Sequence, residues 1–124
     1  MSGTSADGID GAILVSDGVH IKTFGPVLSI PYSKHLTTKI KEAMLGKGDI
    51  DLLERELTIK HAELVEKLLT SSGYSTNDIN LIGFHGQTVM HRPKLSLTRQ
   101  LGDGALLSTL TNISVACDFR RPDL

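Results

Sequence analysis

The chain has 124 residues, which suits one domain or part of one. It is 40% hydrophobic and 22% charged with a net charge of −1, so neither a nucleic-acid surface nor an anionic-lipid surface is expected. No apolar stretch reaches the roughly 18 residues of a membrane helix, and the start lacks the pattern of a secretory signal. The single cysteine, Cys117, cannot form an internal disulfide. We therefore expect a cytoplasmic protein without membrane or nucleic-acid partners.

The first thirty residues predict a β-hairpin. The apolar run at residues 9–15 predicts a strand over residues 9–16, and residues 19–24 alternate between apolar and polar side chains after a turn signal. We expect Pro26 to interrupt the second strand, after which residues 27–30 extend it or start a third strand. Pro31 should end it, because proline has no amide for a central ladder.

Two helices are predicted next. Ser33 can cap the first, and residues 46–48 should end it. The apolar residues at helical spacing are Leu36, Ile40 and Met44. The second helix should start near Asp49 or Asp51 and end at Gly73, where a left-handed cap is expected. Its apolar stripe contains Leu53, Leu57, His61, Leu64 and Leu68. We expect the histidine of this stripe to be partly buried and hydrogen-bonded.

Strands and helices alternate in the last part of the chain. Residues 81–84 predict a short strand that ends on "HGQT", and residues 89–101 an antiparallel excursion. The "GDG" of residues 102–104 opens a short helix over residues 105–111, and residues 113–119 predict a further strand. This order favours an α/β fold with a mixed sheet that has parallel members and carries the hairpin.

Polar motifs follow the predicted strands, where open α/β sheets bind their ligands. Asp103 stands at the start of a helix, where an acid can cap it. Cys117 is interpreted as a small buried strand residue and not as a nucleophile, because no His/Asp arrangement indicates a thiolate.

The opening "MSGTSADGIDGAIL" suits phosphate binding. Gly3 and the hydroxyl residues around it can present backbone amides in a tight turn, which is how such turns hold phosphate oxygens. Asp7 and Asp10 could hold a hydrated Mg²⁺ between carboxylate and phosphate. The alternative is a solvated hairpin turn whose residues were selected for turn propensity. No Walker A motif occurs in the chain.

Three segments resemble the signatures of the anhydro-N-acetylmuramic acid kinase family. They are "MSGTSADGIDGAIL" at residues 1–14, "GFHGQTVMHRP" at residues 83–93 and "QLGDGALLSTLTNISVACDFRRPD" at residues 100–123. Each motif is weak to moderate alone, but the three occur in the family's order and spacing. The resemblance covers the whole chain.

The resemblance implies the actin-like ATPase or sugar-kinase fold, which is ribonuclease H-like, with two α/β lobes closing over ATP and sugar. Residues 1–124 are then expected to form an incomplete N-terminal lobe, a mixed sheet with flanking helices. In the family a first strand precedes the opening motif, and a C-terminal lobe supplies the adenosine contacts and the general base. We expect this chain to lack both, so the catalytic base is expected outside it.

The family's reaction uses ATP, Mg²⁺ and water to open 1,6-anhydro-N-acetylmuramic acid and to phosphorylate O6. The product is N-acetylmuramic acid 6-phosphate, in peptidoglycan recycling. The resemblance implies this sugar as the small-molecule partner, and a second copy or a complementing C-terminal polypeptide as the protein partner. Alternatives are a non-catalytic remnant or half of a split kinase, inactive alone. A general sugar or acetate kinase of the same group is disfavoured by the second and third motifs.

The resemblance also implies site residues. The ATP-binding segment comprises Gly3, Thr4, Ser5, Ala6, Asp7, Gly8, Ile9 and Asp10. Asp7 and Asp10 are assigned to Mg²⁺ through water. The sugar pocket is assigned His85, Gln87 and Thr88. The alternative for these three residues is a hydrogen-bonded strand end that braces the neighbouring loops.

Overall fold

The computed structural model describes residues 7–16, 21–90 and 98–117. The strands are β1 (Gly8–Ser16), β2 (Ile21–Pro31), β3 (Ile82–Phe84), β4 (Gln87–Met90), β5 (Thr98–Leu101) and β6 (Val115–Cys117). The helices are α1 (Lys34–Met44), α2 (Ile50–Ser72) and α3 (Gly104–Thr111), with a 3-10 turn at Thr76–Asp78. The mixed α/β class is confirmed. Within the described ranges, no helix combines the length and apolar character that crossing a membrane requires.

Strands β1 and β2 form the predicted antiparallel hairpin, and β2 ends at Pro31 as expected. Strand β2 runs through Pro26, so the expectation that residues 27–30 extend the second strand is confirmed, whereas the expectation that Pro26 interrupts it is wrong. Ala12 lies opposite Val27, but Leu14, two residues further on, lies opposite Phe24, which is three residues from Val27. The extra residue of β2 forms a bulge. A bulge leaves one amide position out of the ladder, and this is how a strand accommodates proline.

The predicted helix caps are confirmed. Ser33 Oγ accepts the Leu36 N–H at 3.2 Å before α1, and Asp49 Oδ1 accepts the Leu52 N–H at 3.1 Å before α2. Gly73 ends α2 with φ of 80°, in the left-handed region that favours glycine. These caps set where α2 starts and ends, and therefore which residues it turns toward the hairpin.

Helix α2 packs against the hairpin, α1 and α3. The core cluster consists of Ile9, Ile30, Tyr32, Leu36, Ile40, Ala43, Leu53, Leu57, Leu64 and Leu101. The predicted apolar stripe of α2 is buried along its whole length. Burial of this stripe is the main stabilising contribution of α2, because helices in proteins depend on an apolar face more than on propensity.

The described strands form three two-stranded sheets. Strand β3 pairs in parallel with β6, and β4 pairs antiparallel with β5. The parallel pair was predicted, whereas a single mixed sheet that carries the hairpin is not found among the described residues. The hairpin and β5 both pack on α2, and they share no ladder among the described strands.

Truncation of the α2 stripe tests this account of the core. Leu57 has 0% exposure, so Leu57→Ala should lower the free energy of unfolding by about 2–5 kcal/mol through lost burial and the cavity left behind. Leu52 lies on the same helix with 51% exposure, and Leu52→Ala should change the free energy of unfolding by less than about 1 kcal/mol. Urea unfolding followed by circular dichroism measures both. Equal losses in the two variants would contradict the packing described here.

Candidate functional site

The opening motif lies partly outside the described residues, because Gly3, Thr4, Ser5 and Ala6 are not among them. Asp7 is exposed and precedes β1, whereas Ile9 is 1% exposed and belongs to the core. Asp10, the next residue of the strand, is exposed on the other face, and its carboxylate accepts a hydrogen bond from Ser29 Oγ of β2. Alternation along β1 therefore turns Ile9 into the core and Asp10 toward solvent, whereas Asp7 is exposed just before the strand begins.

Tyr32 connects the opening motif to the second motif. Its backbone N–H donates to the carbonyl oxygen of Asp7 at 2.9 Å. Its hydroxyl donates to Gln87 Oε1, also at 2.9 Å, in a buried hydrogen bond between residues 55 positions apart. The buried Tyr32 is therefore hydrogen-bonded both to the residue before β1 and to the first residue of β4.

Residues 85–87, named here the HGQ loop, lead from β3 into β4, and the last of them, Gln87, is the first residue of β4. His85 is exposed, and Gln87 has 0% exposure. Gly86 has φ of 74° and lies so close to the carbonyl of Leu101 that a Cβ would collide with it. Thr88 is the second residue of β4. The buried amide of Gln87 fits the alternative in which this residue braces the neighbouring loops, whereas the exposed side chain of His85 is accessible to a ligand.

The third motif contributes a turn at residues 102–104, named here the GDG turn. Asp103 Oδ1 accepts the Leu106 N–H at 3.0 Å, which confirms the predicted helix cap. The backbone of the turn is also held by two side chains of α2. Glu54 Oε2 accepts the Gly102 N–H at 2.9 Å, and Thr58 Oγ1 accepts the Asp103 N–H at 3.0 Å.

Sequence reasoning missed both of these α2 residues. Thr58 is fully buried, and its hydroxyl also donates to the Glu54 carbonyl at 2.8 Å. The available signal was polar residues set among the leucines of a buried stripe, at positions 54, 58 and 61. Buried polar side chains need partners, and that need could have directed attention to a backbone packed against the helix.

His61 lies on the same side of α2. Its Nδ1–H donates to the Leu57 carbonyl at 2.7 Å, and its ring meets Phe84 edge-on with centroids 4.9 Å apart. Nε2 is buried and has no hydrogen-bond partner within the described part of the chain. The expected hydrogen bond of this histidine is therefore confirmed, although the ring is more deeply buried than predicted and only one of its nitrogens has a partner among the described residues. Burial lowers the pKa of His61 from 6.5 to about 4 despite the bond to Leu57, so the ring is neutral near pH 7.

Cys117 differs from its prediction as a buried residue. It is exposed at the end of β6, which forms a two-stranded sheet with β3. Its Sγ packs closely on Gly104. Partial burial of the thiol raises the pKa of Cys117, and the Asp103 carboxylate raises it further. Both effects oppose the thiolate, so the thiol is not activated as a nucleophile.

The described residues do not form a site that binds a metal ion directly, since no three His, Cys, Asp or Glu side chains cluster among them. Asp7 and Asp10 offer hard carboxylate oxygens exposed to solvent. Such donors fit a hydrated Mg²⁺ whose remaining ligands are water and phosphate, because Mg²⁺ keeps several of its waters.

The neutral state of His61 predicts an acid limb of stability. The unfolded chain binds the proton near pH 6.5 and the native chain near pH 4, so the unfolded state holds more protons in between. The free energy of unfolding should therefore fall by up to about 3 kcal/mol as the pH is lowered from 6.5 to 4. His61→Leu should remove this part of the pH dependence in urea titrations. If the free energy of unfolding depended on pH in the same way in the wild type and in His61→Leu, the burial of His61 would be contradicted.

Comparisons with known proteins agree with the three motifs. A family model described as anhydro-N-acetylmuramic acid kinase matches residues 1–124. Relatives with that name include one from Paramagnetospirillum magneticum, 40% identical over 124 residues, and one from Agrobacterium fabrum, 46% identical over 134 residues. Both alignments cover 100% of this chain but only 35% and 36% of the respective relatives. The chain thus spans about a third of the relatives' length, and it belongs to the anhydro-N-acetylmuramic acid kinase family.

Proposed function

We propose that this chain supplies phosphate-binding and sugar-binding segments of an ATP-dependent kinase that acts on 1,6-anhydro-N-acetylmuramic acid. The observation that carries the proposal is the link made by Tyr32 between Asp7 and Gln87. Phosphoryl transfer depends on positioning and charge neutralisation more than on covalent chemistry, so its central requirement is a nucleotide site held beside an acceptor site. The hydrogen bonds of Tyr32 to residues of the opening and second motifs support such an arrangement.

The proposed reaction couples hydrolysis to transfer. The oxygen of water forms a bond to the anomeric carbon, and the bond between that carbon and O6 breaks. The freed O6 takes the γ-phosphoryl group of ATP, ADP leaves, and the proton lost by water passes to a base. The products are N-acetylmuramic acid 6-phosphate and ADP, which fits a cytoplasmic step of peptidoglycan recycling where ATP is available.

The nucleotide side of the site is assigned to residues 3–10. Backbone amides around Gly3 and the hydroxyls of Thr4 and Ser5 would hold phosphate oxygens. Asp7 and Asp10 would hold the waters of Mg²⁺, which supplies charge neutralisation when bound. Ile9 is in the core, so its contribution is to anchor the strand that presents this segment.

The sugar side is assigned to the HGQ loop and the start of β4. His85 is the member with an exposed side chain, so it would contact the sugar directly. Gln87 would act by holding the loop against Tyr32, and Thr88 is assigned to the same pocket. No described residue is assigned as the general base. The base and the adenosine contacts are assigned to the portion of the relatives that this chain does not match.

Ligand binding by the purified chain tests the proposal. The anhydro sugar should give saturable chemical-shift changes in the presence of Mg²⁺ and ATP. His85→Ala should weaken sugar affinity about tenfold, the effect of one hydrogen bond to a ligand. His35→Ala is the matched control, because His35 is an exposed histidine of α1 whose Nε2 lies 3.1 Å from Glu56 Oε2. It should leave the affinity unchanged.

Product formation is followed in the same samples by mass spectrometry of the 6-phosphate. A full-length family member is the positive control. Formation of the 6-phosphate by the 124-residue chain would show that it builds a complete site. Absence of any sugar binding beside an active control would contradict the proposed function.

A further inference from the structure

We propose that Glu54 and Thr58 are positioning residues for the HGQ loop. They fix the backbone of the GDG turn, and the turn fixes the loop through close backbone contact. What the loop binds rests on the proposed function, whereas the mechanical link stands on contacts between described residues. Neither residue belongs to the three sequence motifs.

The first step is the hold of α2 on the turn. Glu54 Oε2 and Thr58 Oγ1 accept the consecutive N–H groups of Gly102 and Asp103 at 2.9 and 3.0 Å. These amides precede α3, whose own cap is already made by Asp103 Oδ1. The two α2 side chains are therefore not needed to cap α3. They determine where its preceding turn lies.

The second step passes from the turn to the loop. A Cβ at Gly102 would lie 2.6 Å from Cζ of Phe84 and 3.3 Å from Cα of Gly86. Gly86 in turn lies against the carbonyl of Leu101, which pairs with Gln87 in the β4–β5 ladder. These contacts involve backbone and a buried ring, so they transmit a displacement of the turn instead of absorbing it.

The third step concerns the ligand. Gln87 is buried and hydrogen-bonded to Tyr32, and Gly86 has no side chain. His85 is thus the part of the loop that reaches solvent, and its location depends on the backbone that the GDG turn holds. Movement of the turn should therefore change sugar affinity without unfolding the hairpin or α1.

The chemistry of Thr58 favours this role over a purely structural one. Thr58 is wholly buried on a stripe of leucines. Its hydroxyl donates to the Glu54 carbonyl of the same helix, and an apolar residue at this position would need no such hydrogen bond. The hydroxyl becomes useful only because it also accepts the Asp103 N–H, which would otherwise be left without that partner.

The test measures amide hydrogen exchange in the full 124-residue chain by NMR. Thr58→Val keeps the shape and removes the acceptor, and Thr58→Ser keeps the hydroxyl. We expect Thr58→Val to speed exchange at Asp103 about tenfold and to shift the Gly86 amide resonance. Thr58→Ser should restore both. Thr70→Val, at an exposed threonine of α2, should change neither, and the Leu64 amide reports global stability in every variant.

A second pair avoids dependence on one buried site. Glu54 is only partly buried, and Glu54→Met removes the acceptor for Gly102 with little loss of bulk. Glu66→Met, at an exposed glutamate of α2, is its control. Faster exchange at Gly102 with a moved Gly86 resonance is expected for Glu54→Met alone. Unchanged exchange at Gly102 and Asp103, or faster exchange with a static Gly86 resonance, would overturn the proposed link.

Sugar affinity separates the link from the proposed function. The positioning role is supported if the wild-type chain binds the sugar and Thr58→Val weakens the affinity about fivefold to tenfold. The affinity should recover in Thr58→Ser. Unchanged affinity in Thr58→Val despite a displaced Gly86 would overturn it. Failure of the wild-type chain to bind the sugar would refute the proposed function, and the positioning role for a sugar with it, while the amide data still decide whether α2 holds the loop.

Discussion

Tyr32 is bonded at both ends, and the candidate site depends on this residue. Its backbone is fixed to Asp7 at the start of β1, and its hydroxyl is fixed to the buried amide of Gln87 at the start of β4. Neither hydrogen bond is strong by itself, at about 1 kcal/mol net. Their importance is geometric, because Tyr32 also belongs to the core and cannot move independently of it. Segments that are far apart in the sequence therefore share one rigid reference point.

Helix α2 gives that reference point its rigidity. Its leucine stripe packs on the hairpin, and polar residues on the same side hold the GDG turn and face Phe84. Burial of Thr58 and His61 costs stability that leucines would not, and His61 even leaves Nε2 without a partner in the described part of the chain. A helix selected for stability alone would not contain these residues. Their presence fits a helix that also determines the position of loops with a function.

Much of the local structure could be predicted from the sequence. Caps at Ser33, Asp49, Gly73 and Asp103 follow from side-chain chemistry and glycine geometry, and the α2 stripe follows from its period. Long-range placement was harder. The bulge at Pro26 depends on strand register, and the exposure of Cys117 depends on which strands pair. The partners of Tyr32 and Thr58 lie 55 and 45 residues away, and no local pattern in a single sequence indicates such distances. The motifs indicated which residues to examine, whereas the side chains that hold them together came from the tertiary structure.

A double-mutant cycle between Tyr32→Phe and Gln87→Leu tests the central claim most directly. Each variant removes one partner of the buried hydrogen bond, and the cycle isolates their coupling from the other contacts of Gln87. Unfolding free energies from urea titration of the four proteins should give a coupling energy of about 1 kcal/mol. Additivity within about 0.3 kcal/mol would mean that Tyr32 does not hold the two motifs together, and the account of the site would fail.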